Sequence, residues 1–226
     1  MRRSLIVLAM CVALGAGAQE WQPLTEGDEL TGWRALGGEW SIDGGVITAK
    51  AAPNENAWLL YEKQAFADCE IELEFRTPTP TNGGIQFRSH WLPRVPLEEG
   101  EHVEDAPKQM YGYQANVETR QRLASGRLID ENGRGALAET PMEAAKTLKQ
   151  RDWNRMRIVA KGSTIEVYLH DVLAHRTTDN AYIKGYIALQ SFAFQMKEAV
   201  ALEYRNLRVK DYGRVGEWRP LFDGCA

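Results

Sequence analysis

The sequence predicts an all-β fold, a sandwich of two antiparallel sheets with one short helix. Several segments alternate apolar and polar residues with a period of two, which is typical of strands that have one buried face. Turn residues separate these segments, and Asp43-Gly44-Gly45 has the composition of a tight hairpin turn. Of the 226 residues, about 200 form the predicted mature chain, which is enough for one domain with a full core. Two sheets packed face to face bury such strands most simply.

The predicted elements follow one another along most of the chain. A capping-box pattern at 140–143, with proline at the first helical position, predicts a short helix that runs to about Lys149. Residues 92–109 are acidic and rich in proline, so we predict a long loop, a type of segment that often carries function. Strands are predicted at 40–48 (a hairpin), 58–61, 66–76, 84–90, 111–118, 153–161, 163–170, 186–192 and 200–210.

Residues 1–18 have the features of a secretory signal peptide. Arg2 and Arg3 precede an apolar run that is too short to span a bilayer, and the small residues 16–18 predict cleavage after Ala18. We therefore expect a secreted or periplasmic protein with one domain at 19–213 and a tail at 214–226. The mature chain has 25 basic and 31 acidic residues, and its net charge of −6 disfavours nucleic acid as a partner.

The cysteines and histidines give no sign of a metal site or cofactor. The mature chain keeps Cys69 and Cys225, and a disulfide between them is allowed in an oxidising compartment but is not required by the sequence. No spacing of cysteine and histidine is typical of a metal site. Carboxylates and carbonyls can hold Ca²⁺, but no dedicated loop is present, so we predict no cofactor.

Two strands carry the residues that indicate a binding surface. In 83–89 and 112–118 the apolar residues would enter the core, and the other face would show amides, a guanidinium and a carboxylate. These groups suit the hydroxyls and carbonyls of a sugar. A third strand at 70–76 adds two more carboxylates. The alternative is a solvated sheet face, which is polar in any antiparallel sheet. The residues concerned are Gln86, Arg88, Gln114, Asn116, Glu118, Glu72 and Glu74.

Short motifs occur in a characteristic order between residues 21 and 212. They are Gly84-Ile85-Gln86-Phe87-Arg88, Gly112-Tyr113-Gln114, the glycine-rich loop 126–135, Trp153-Asn154, Leu189-Gln190 and Arg205-Asn206. With these motifs the chain resembles the 3-keto-disaccharide hydrolase domain family, a concanavalin A-like, laminin-G-like jelly roll of secreted bacterial proteins. One departure concerns Phe192, which stands where the family often has a histidine.

The resemblance implies cleavage of a glycoside whose sugar is oxidised at carbon 3. A base removes the acidic proton on carbon 2, the enolate expels the aglycone from carbon 1, and water adds later. Arg88 is expected at the ketone or enolate oxygen. Glu72, Glu74, Glu118 and His90 compete for the role of the base. His90 has the convenient unperturbed pKa, but Glu74 is chosen because burial in mid-strand can raise its pKa. The expected substrate-binding residues are Glu72, Gln86, Gln114, Asn116, Asp130, Arg134 and Gln190.

Each of these roles has a structural alternative. Arg88 is equally suited to a cross-strand ion pair with Glu72 or Glu74, and the amides can satisfy one another across strands. In the loop that carries Asp130 and Arg134, Glu131 fits a solvated turn better than a site.

The function also has alternatives. A non-catalytic carbohydrate-binding module of the same fold is favoured by Phe192, whereas acids and Arg88 on one face favour the enzyme. Residues 21–27 resemble residues 218–224. This repeat suggests a third interpretation, in which the chain is one half of a tandem enzyme that needs a second domain. The sequence does not decide whether the reaction is a hydrolysis or an elimination, and it does not give the oligomeric state.

Overall fold

The computed structural model describes residues 20–121 and 124–213, and the predicted signal peptide, Cys225 and the second copy of the opening motif lie outside them. Among the described residues, no helix is long and apolar enough to cross a bilayer. The elements are β1 (Gln22–Pro23), β2 (Trp33–Leu36), β3 (Glu39–Asp43), β4 (Val46–Ala51), β5 (Asn56–Phe66), β6 (Asp68–Arg76), β7 (Asn82–Pro93), β8 (Lys108–Glu118), β9 (Leu128–Glu131), β10 (Gly135–Ala138), α1 (Met142–Ala145), β11 (Asn154–Lys161), β12 (Thr164–Leu169), β13 (Val172–Thr178), β14 (Gly185–Phe192) and β15 (Val200–Gly213).

The strands form two antiparallel sheets, so the predicted all-β sandwich is confirmed. The first sheet has the order β13-β12-β11-β6-β15-β4-β3, with β1 paired to β15. The second sheet has the order β10-β9-β8-β7-β14-β5-β2. The inner faces of the two sheets pack on each other to form one main core.

Period-two alternation explains which residues enter that core. In β6, Ile71, Leu73 and Phe75 are fully buried, while the glutamates between them lie on the outer face of the first sheet. In β7, Ile85 and Phe87 are buried in the same core from the second sheet. Burying one such side chain stabilises the fold by about 1.5–3 kcal/mol, so these strands hold the two sheets together.

The predictions of a turn-rich loop at 126–135 and of a long loop at 92–109 were partly wrong. Residues of the first segment form β9 and β10, because β9 pairs with the edge of β8. The second segment is shortened to 94–107, because β7 and β8 continue to pair as far as Pro93 and Lys108. Cross-strand hydrogen bonds therefore decided both boundaries.

The helix is shorter than predicted. It spans only Met142–Ala145, and Pro141 rather than Thr140 occupies the N-cap, with no side-chain capping hydrogen bond. The hydroxyl of Thr140 instead donates to the carbonyl of Ser125 at 2.8 Å. The predicted capping box therefore does not form, because the hydroxyl of Thr140 bonds to Ser125 instead of capping the helix.

A bulge in β7 reorients the strand that was expected to carry the site. The register with β8 shifts between Phe87 and His90, and Arg88 has a left-handed φ of 48°. Gly112 lies opposite the bulge with φ of 126°, and a Cβ there would lie 2.9 Å from Cα of Ser89. A bulge bends its strand and re-aims the side chains. The bulge therefore ends the simple alternation of β7 at Phe87.

Candidate functional site

The second sheet curls toward its outer face. Met110 of β8 belongs to one apolar cluster with Trp58 and Leu60 of β5 and Ala188 of β14. The guanidinium of Arg34 in β2 lies 4.8 Å from the ring centroid of Trp91 in β7, although β5 and β14 lie between these two strands in the sheet. Trp91, just after the β7 bulge, joins the same cluster. Contact across two intervening strands requires a concave surface, and the bulge supplies the bend. We call this surface the concave face.

Glu131 reaches the middle of the concave face. Its Oε1 accepts a hydrogen bond of 2.8 Å from Nε2 of Gln190, and the same nitrogen donates to Oδ1 of Asn56 at 2.9 Å. Gln190 lies directly opposite Trp58 in the pairing of β14 with β5. We call Asn56, Trp58, Glu131 and Gln190 the Glu131 cluster. It brings one carboxylate, two amides and an indole together from three strands.

Burial changes the pKa of the Glu131 carboxyl group. Desolvation raises its pKa above the ordinary glutamate value, and hydrogen bonds from Gln190 and Asn56 lower it by less. The net pKa is therefore raised. A carboxylate of raised basicity, held by two amides, is suited to accept a proton from a bound substrate.

An open cleft adjoins this cluster. It has a volume of about 560 Å³ and is lined by side chains of β5 together with the ends of β7 and β8. That size lies in the range of small-molecule sites. The polar and aromatic lining includes Asn54, Asn56, Trp58, Trp91, Lys108 and Gln109.

A larger cavity of about 780 Å³ lies on the outer face of the first sheet and contains two predicted site residues, Glu72 and Glu74. Both are committed to ion pairs, Glu72 with Arg208 and Glu74 with Arg205. Partial burial raises the pKa of Glu74, but hydrogen bonds from Arg205 and Asn206 outweigh it, so the net pKa is lowered. We place the candidate site in the concave face, because Glu72 and Glu74 in the larger cavity are already held in ion pairs.

The prediction that Glu72 and Glu74 share a face with Gln86 and Gln114 is wrong. The acids belong to β6 of the first sheet and the amides to the second sheet, on opposite sides of the molecule. The pattern of β6 correctly separates core from surface, but no feature of one strand tells which sheet it joins. A lowered pKa and a distant location make Glu74 unsuitable as the base.

Arg88 also departs from the expected face. Its side chain is fully buried and its guanidinium donates to the carbonyls of Ala67 and Gly162, each at 2.7 Å, and to Oδ1 of Asp68 at 2.8 Å. Asp68 begins β6 of the first sheet, Gly162 lies in the turn between β11 and β12 of that sheet, and Ala67 joins β5 to β6, so Arg88 connects the two sheets. The bulge is the reason, since it turns this side chain inward. Arg88 does not meet Gln86 and Gln114 on a common surface.

The three amides of β7 and β8 satisfy one another. Nε2 of Gln86 donates to Oε1 of Gln114 at 2.6 Å, and Nε2 of Gln114 donates to Oδ1 of Asn116 at 3.2 Å. The chain continues from Ser89 into Gln86 at one end and from Asn116 to the carbonyl of Ala124 at the other. All four side chains are buried, which favours the structural alternative for the predicted binding residues.

Asp130, Arg134 and His90 group around Tyr182, away from the Glu131 cluster. Asp130 is buried and accepts from Nε of Arg134 at 2.5 Å and from the hydroxyl of Tyr182 at 2.9 Å. The ring centroid of His90 lies 6.1 Å from that of Tyr182. Asp130 pairs with Tyr113 and Glu131 with Gly112, so the two acids project to opposite faces of β9. The binding roles of Asp130 and Arg134 remain predictions.

Of the predicted site residues, Gln190 alone belongs to the Glu131 cluster. Glu131 and Trp58 were missed as site residues, and Glu131 was assigned to a solvated turn. The sequence Leu128-Ile129-Asp130-Glu131 does not alternate apolar and polar residues, so period two gave no signal for this strand, although any strand here places the two consecutive acids on opposite faces.

Comparisons with known proteins agree with this architecture. The carbohydrate binding module CBM66 from Bacillus subtilis superposes with a TM-score of 0.58 at 20% identity, over 80% of this chain and 96% of that one. A candidate glycosyl hydrolase from Parabacteroides distasonis gives 0.56 at 13% identity, over 85% and 94%. A Bacillus subtilis protein of unknown function with a galectin-like fold gives 0.63 at 14% identity, over 86% and 96%. At these identities the likeness shows the fold alone.

Among curated proteins no significant match is found. A family model, described as the 3-keto-alpha-glucoside-1,2-lyase-like domain, matches residues 20–210. Within the part of the chain that the structure describes, this range spans all fifteen strands except the last residues of β15. The chain therefore belongs to the 3-keto-alpha-glucoside-1,2-lyase-like domain family.

Proposed function

We propose that this domain is a carbohydrate-active enzyme that removes the leaving group from a 3-keto glycoside by elimination across carbons 1 and 2. Family membership supports the substrate class, and a carbohydrate binding module shares the fold. The observation that carries the proposal is the carboxyl group of Glu131 in the concave face, with its raised pKa and its hydrogen bond from Gln190. Such a carboxylate, more basic than an ordinary glutamate, is suited to act as a general base.

In the proposed reaction Glu131 takes the proton from carbon 2 of the bound sugar. The electron pair of that C–H bond forms a double bond between carbons 2 and 3, and the ketone π pair moves onto its oxygen. The enolate then restores the ketone and forms a double bond between carbons 1 and 2. The leaving group departs with the electron pair of its C–O bond and takes a proton from water, and the hydroxide that remains takes the proton from Glu131, which restores both the water and the base. Water can later add to the unsaturated product.

The test compares Glu131→Gln with Glu74→Gln on 3-keto-trehalose or 3-keto-lactose, measuring release of the free sugar. Loss of a general base predicts a fall in kcat/KM of about 10²–10⁴ for Glu131→Gln. Glu74 lies on the other sheet, so Glu74→Gln should keep the wild-type rate. Wild-type turnover by Glu131→Gln would overturn the assignment of the base.

The second candidate is a non-catalytic carbohydrate-binding module. It is favoured by Phe192, an apolar ring that stands in place of the histidine frequent in the family and lies 5.4 Å from the ring of Phe194. Calorimetric titration with the same two sugars separates the candidates. Binding without release of free sugar by the wild type would favour the module over the enzyme.

We also propose that the protein is exported after cleavage behind Ala18 and works without a cofactor. The first part follows from the sequence of residues 1–18. A mass measurement on protein recovered from the exported fraction should give a chain that begins at Gln19. An intact Met1 would contradict it. Full activity after exhaustive dialysis against a chelator is expected, and lost activity that Ca²⁺ restores would contradict the second part.

A further inference from the structure

Two buried polar atoms in the Glu131 cluster have no hydrogen-bond partner in the part of the chain that the structure describes. They are the indole nitrogen Nε1 of Trp58 and the amide oxygen Oε1 of Gln190. Only 3% of Trp58 and 1% of Gln190 are exposed. An unsatisfied buried group costs about 1–3 kcal/mol. Folded proteins rarely keep such groups without a reason, and a ligand that supplies the missing partners is one such reason.

The two atoms belong to neighbouring side chains. Trp58 and Gln190 are directly opposite in the antiparallel pair β5 and β14, so their side chains lie on the same face. The amide of Gln190 has a defined orientation, because its nitrogen donates to two acceptors, Oδ1 of Asn56 and Oε1 of Glu131. Its oxygen must therefore point away from both.

The pair offers one donor and one acceptor. An indole nitrogen only donates and an amide oxygen only accepts. A ketone oxygen only accepts, so it can bind to Trp58 but not to the oxygen of Gln190, whereas a hydroxyl can donate to Gln190. A ketone next to a hydroxyl therefore matches this pair in one orientation.

We propose that Trp58 and Gln190 recognise two neighbouring oxygens of the oxidised sugar. Nε1 of Trp58 donates to the ketone oxygen on carbon 3, and a hydroxyl on a neighbouring carbon donates to Oε1 of Gln190. This inference rests on the proposed function and deepens it. It identifies the residue that binds the reacting oxygen, the role expected of Arg88 from the sequence.

The same contact assists the chemistry. When Glu131 removes the proton from carbon 2, negative charge develops on the ketone oxygen, and a fixed N–H donor binds that oxygen more strongly than it binds the ketone. Gln190 holds the carboxylate of Glu131 through its nitrogen and the sugar through its oxygen. Base and sugar are thus held on either side of one amide. Trp58 is a catalytic residue in this scheme, because it touches the reacting oxygen.

The test is Trp58→Phe, which keeps an aromatic ring but removes the N–H. Loss of one oxyanion donor predicts a fall in kcat of about 10²–10³ on 3-keto-trehalose. Affinity should fall by about two- to tenfold, because a hydrogen bond to the uncharged ketone contributes only about 0.5–1.5 kcal/mol. Binding is measured by calorimetry with Glu131→Gln against the double variant Glu131→Gln/Trp58→Phe, in which turnover does not interfere. Trp153→Phe is the control, since Trp153 stacks on Arg76 and Arg205 outside the site.

If the wild type turns over normally and the kcat of Trp58→Phe lies within about threefold of it, this inference is overturned and the proposed function is left intact. The reason is that a donor contact that contributes less than a neutral hydrogen bond has no catalytic role. An inactive wild type would overturn the proposed function instead. If the wild type and Trp58→Phe then also bound 3-keto-trehalose with equal affinity, the proposed recognition of the sugar by Trp58 would be overturned as well. Far-UV circular dichroism checks the fold. If the phenylalanine variant does not fold, benzothienylalanine at position 58, which replaces the N–H by sulfur at nearly the same shape, takes its place with the same expected results.

Discussion

Arg88 and Asp68 form a buried ion pair, with Nη2 of the arginine 2.8 Å from Oδ1 of the aspartate. The side chain of Arg88 is 0% exposed and that of Asp68 is 7% exposed. Arg88 belongs to the second sheet and Asp68 to the first, so the pair joins the sheets at one end of the sandwich. Asp68 also accepts from the backbone nitrogen of Gly162 at 2.9 Å. The arginine of the family motif thus serves the architecture here.

Replacement of Arg88 by methionine should lower the free energy of unfolding by about 3–5 kcal/mol, because it removes the buried guanidinium that is ion-paired with the carboxylate of Asp68. The measurement is urea unfolding followed by circular dichroism. Arg155→Met is the matched control, since its ion pair with Asp171 is largely exposed and should contribute less than about 1 kcal/mol. Equal stability of the two variants would show that the inter-sheet pair is dispensable.

The acid limb of the kcat/KM profile should lie above the ordinary glutamate pKa, because burial raises the pKa of Glu131. The base must be ionised, so the rate falls as pH decreases through that raised value. Gln190→Leu removes a hydrogen bond that lowers the pKa, and should move the limb to still higher pH. A limb that stays in place in this variant, measured on 3-keto-lactose, would contradict the role of Glu131.

Asp179→Asn should destabilise the fold in a pH-dependent way. Hydrogen bonds from Arg134 lower the pKa of Asp179 to about 2, from 3.8, and Tyr113 adds a further hydrogen bond. An acid with a lowered pKa stabilises the fold above its unfolded-state value, and this contribution is lost as pH falls through the folded-state value. We therefore expect a loss of about 1–2 kcal/mol at pH 7 that disappears between about pH 4 and pH 2. Thermal unfolding across this range is the measurement, and a difference that does not change with pH would refute the prediction.

Gly84→Ala should disrupt the chain of buried amides. A Cβ at this position would lie 2.6 Å from Cδ of Gln114, closer than atoms can approach. Overpacking of this kind costs about 1–3 kcal/mol. In a Gln114→Ala background the extra methyl finds space, so the cost of Gly84→Ala should fall. Chemical denaturation of the four members of this double-mutant cycle gives the coupling energy, and additive effects would show that the two side chains do not compete for space.

The alternation in β7 and β8 was enough to predict their core residues. Phe87 and Tyr113 enter the core as expected, because a period of two assigns faces within a strand whatever its neighbours are. The order of the family motifs likewise predicted the sandwich, since the strands that carry these motifs are its central elements.

What only the tertiary structure decided is how those faces meet. The side of the molecule that Glu74 occupies depends on the pairing of β6 with β11 and β15, which is a long-range choice. The inward turn of Arg88 depends on a bulge, a local break that alternation cannot foresee. Glu131 meets Gln190 only because the sheet curls. A linear pattern records which residues share a face along one strand, whereas register, bulges and curvature determine which distant residues share a site.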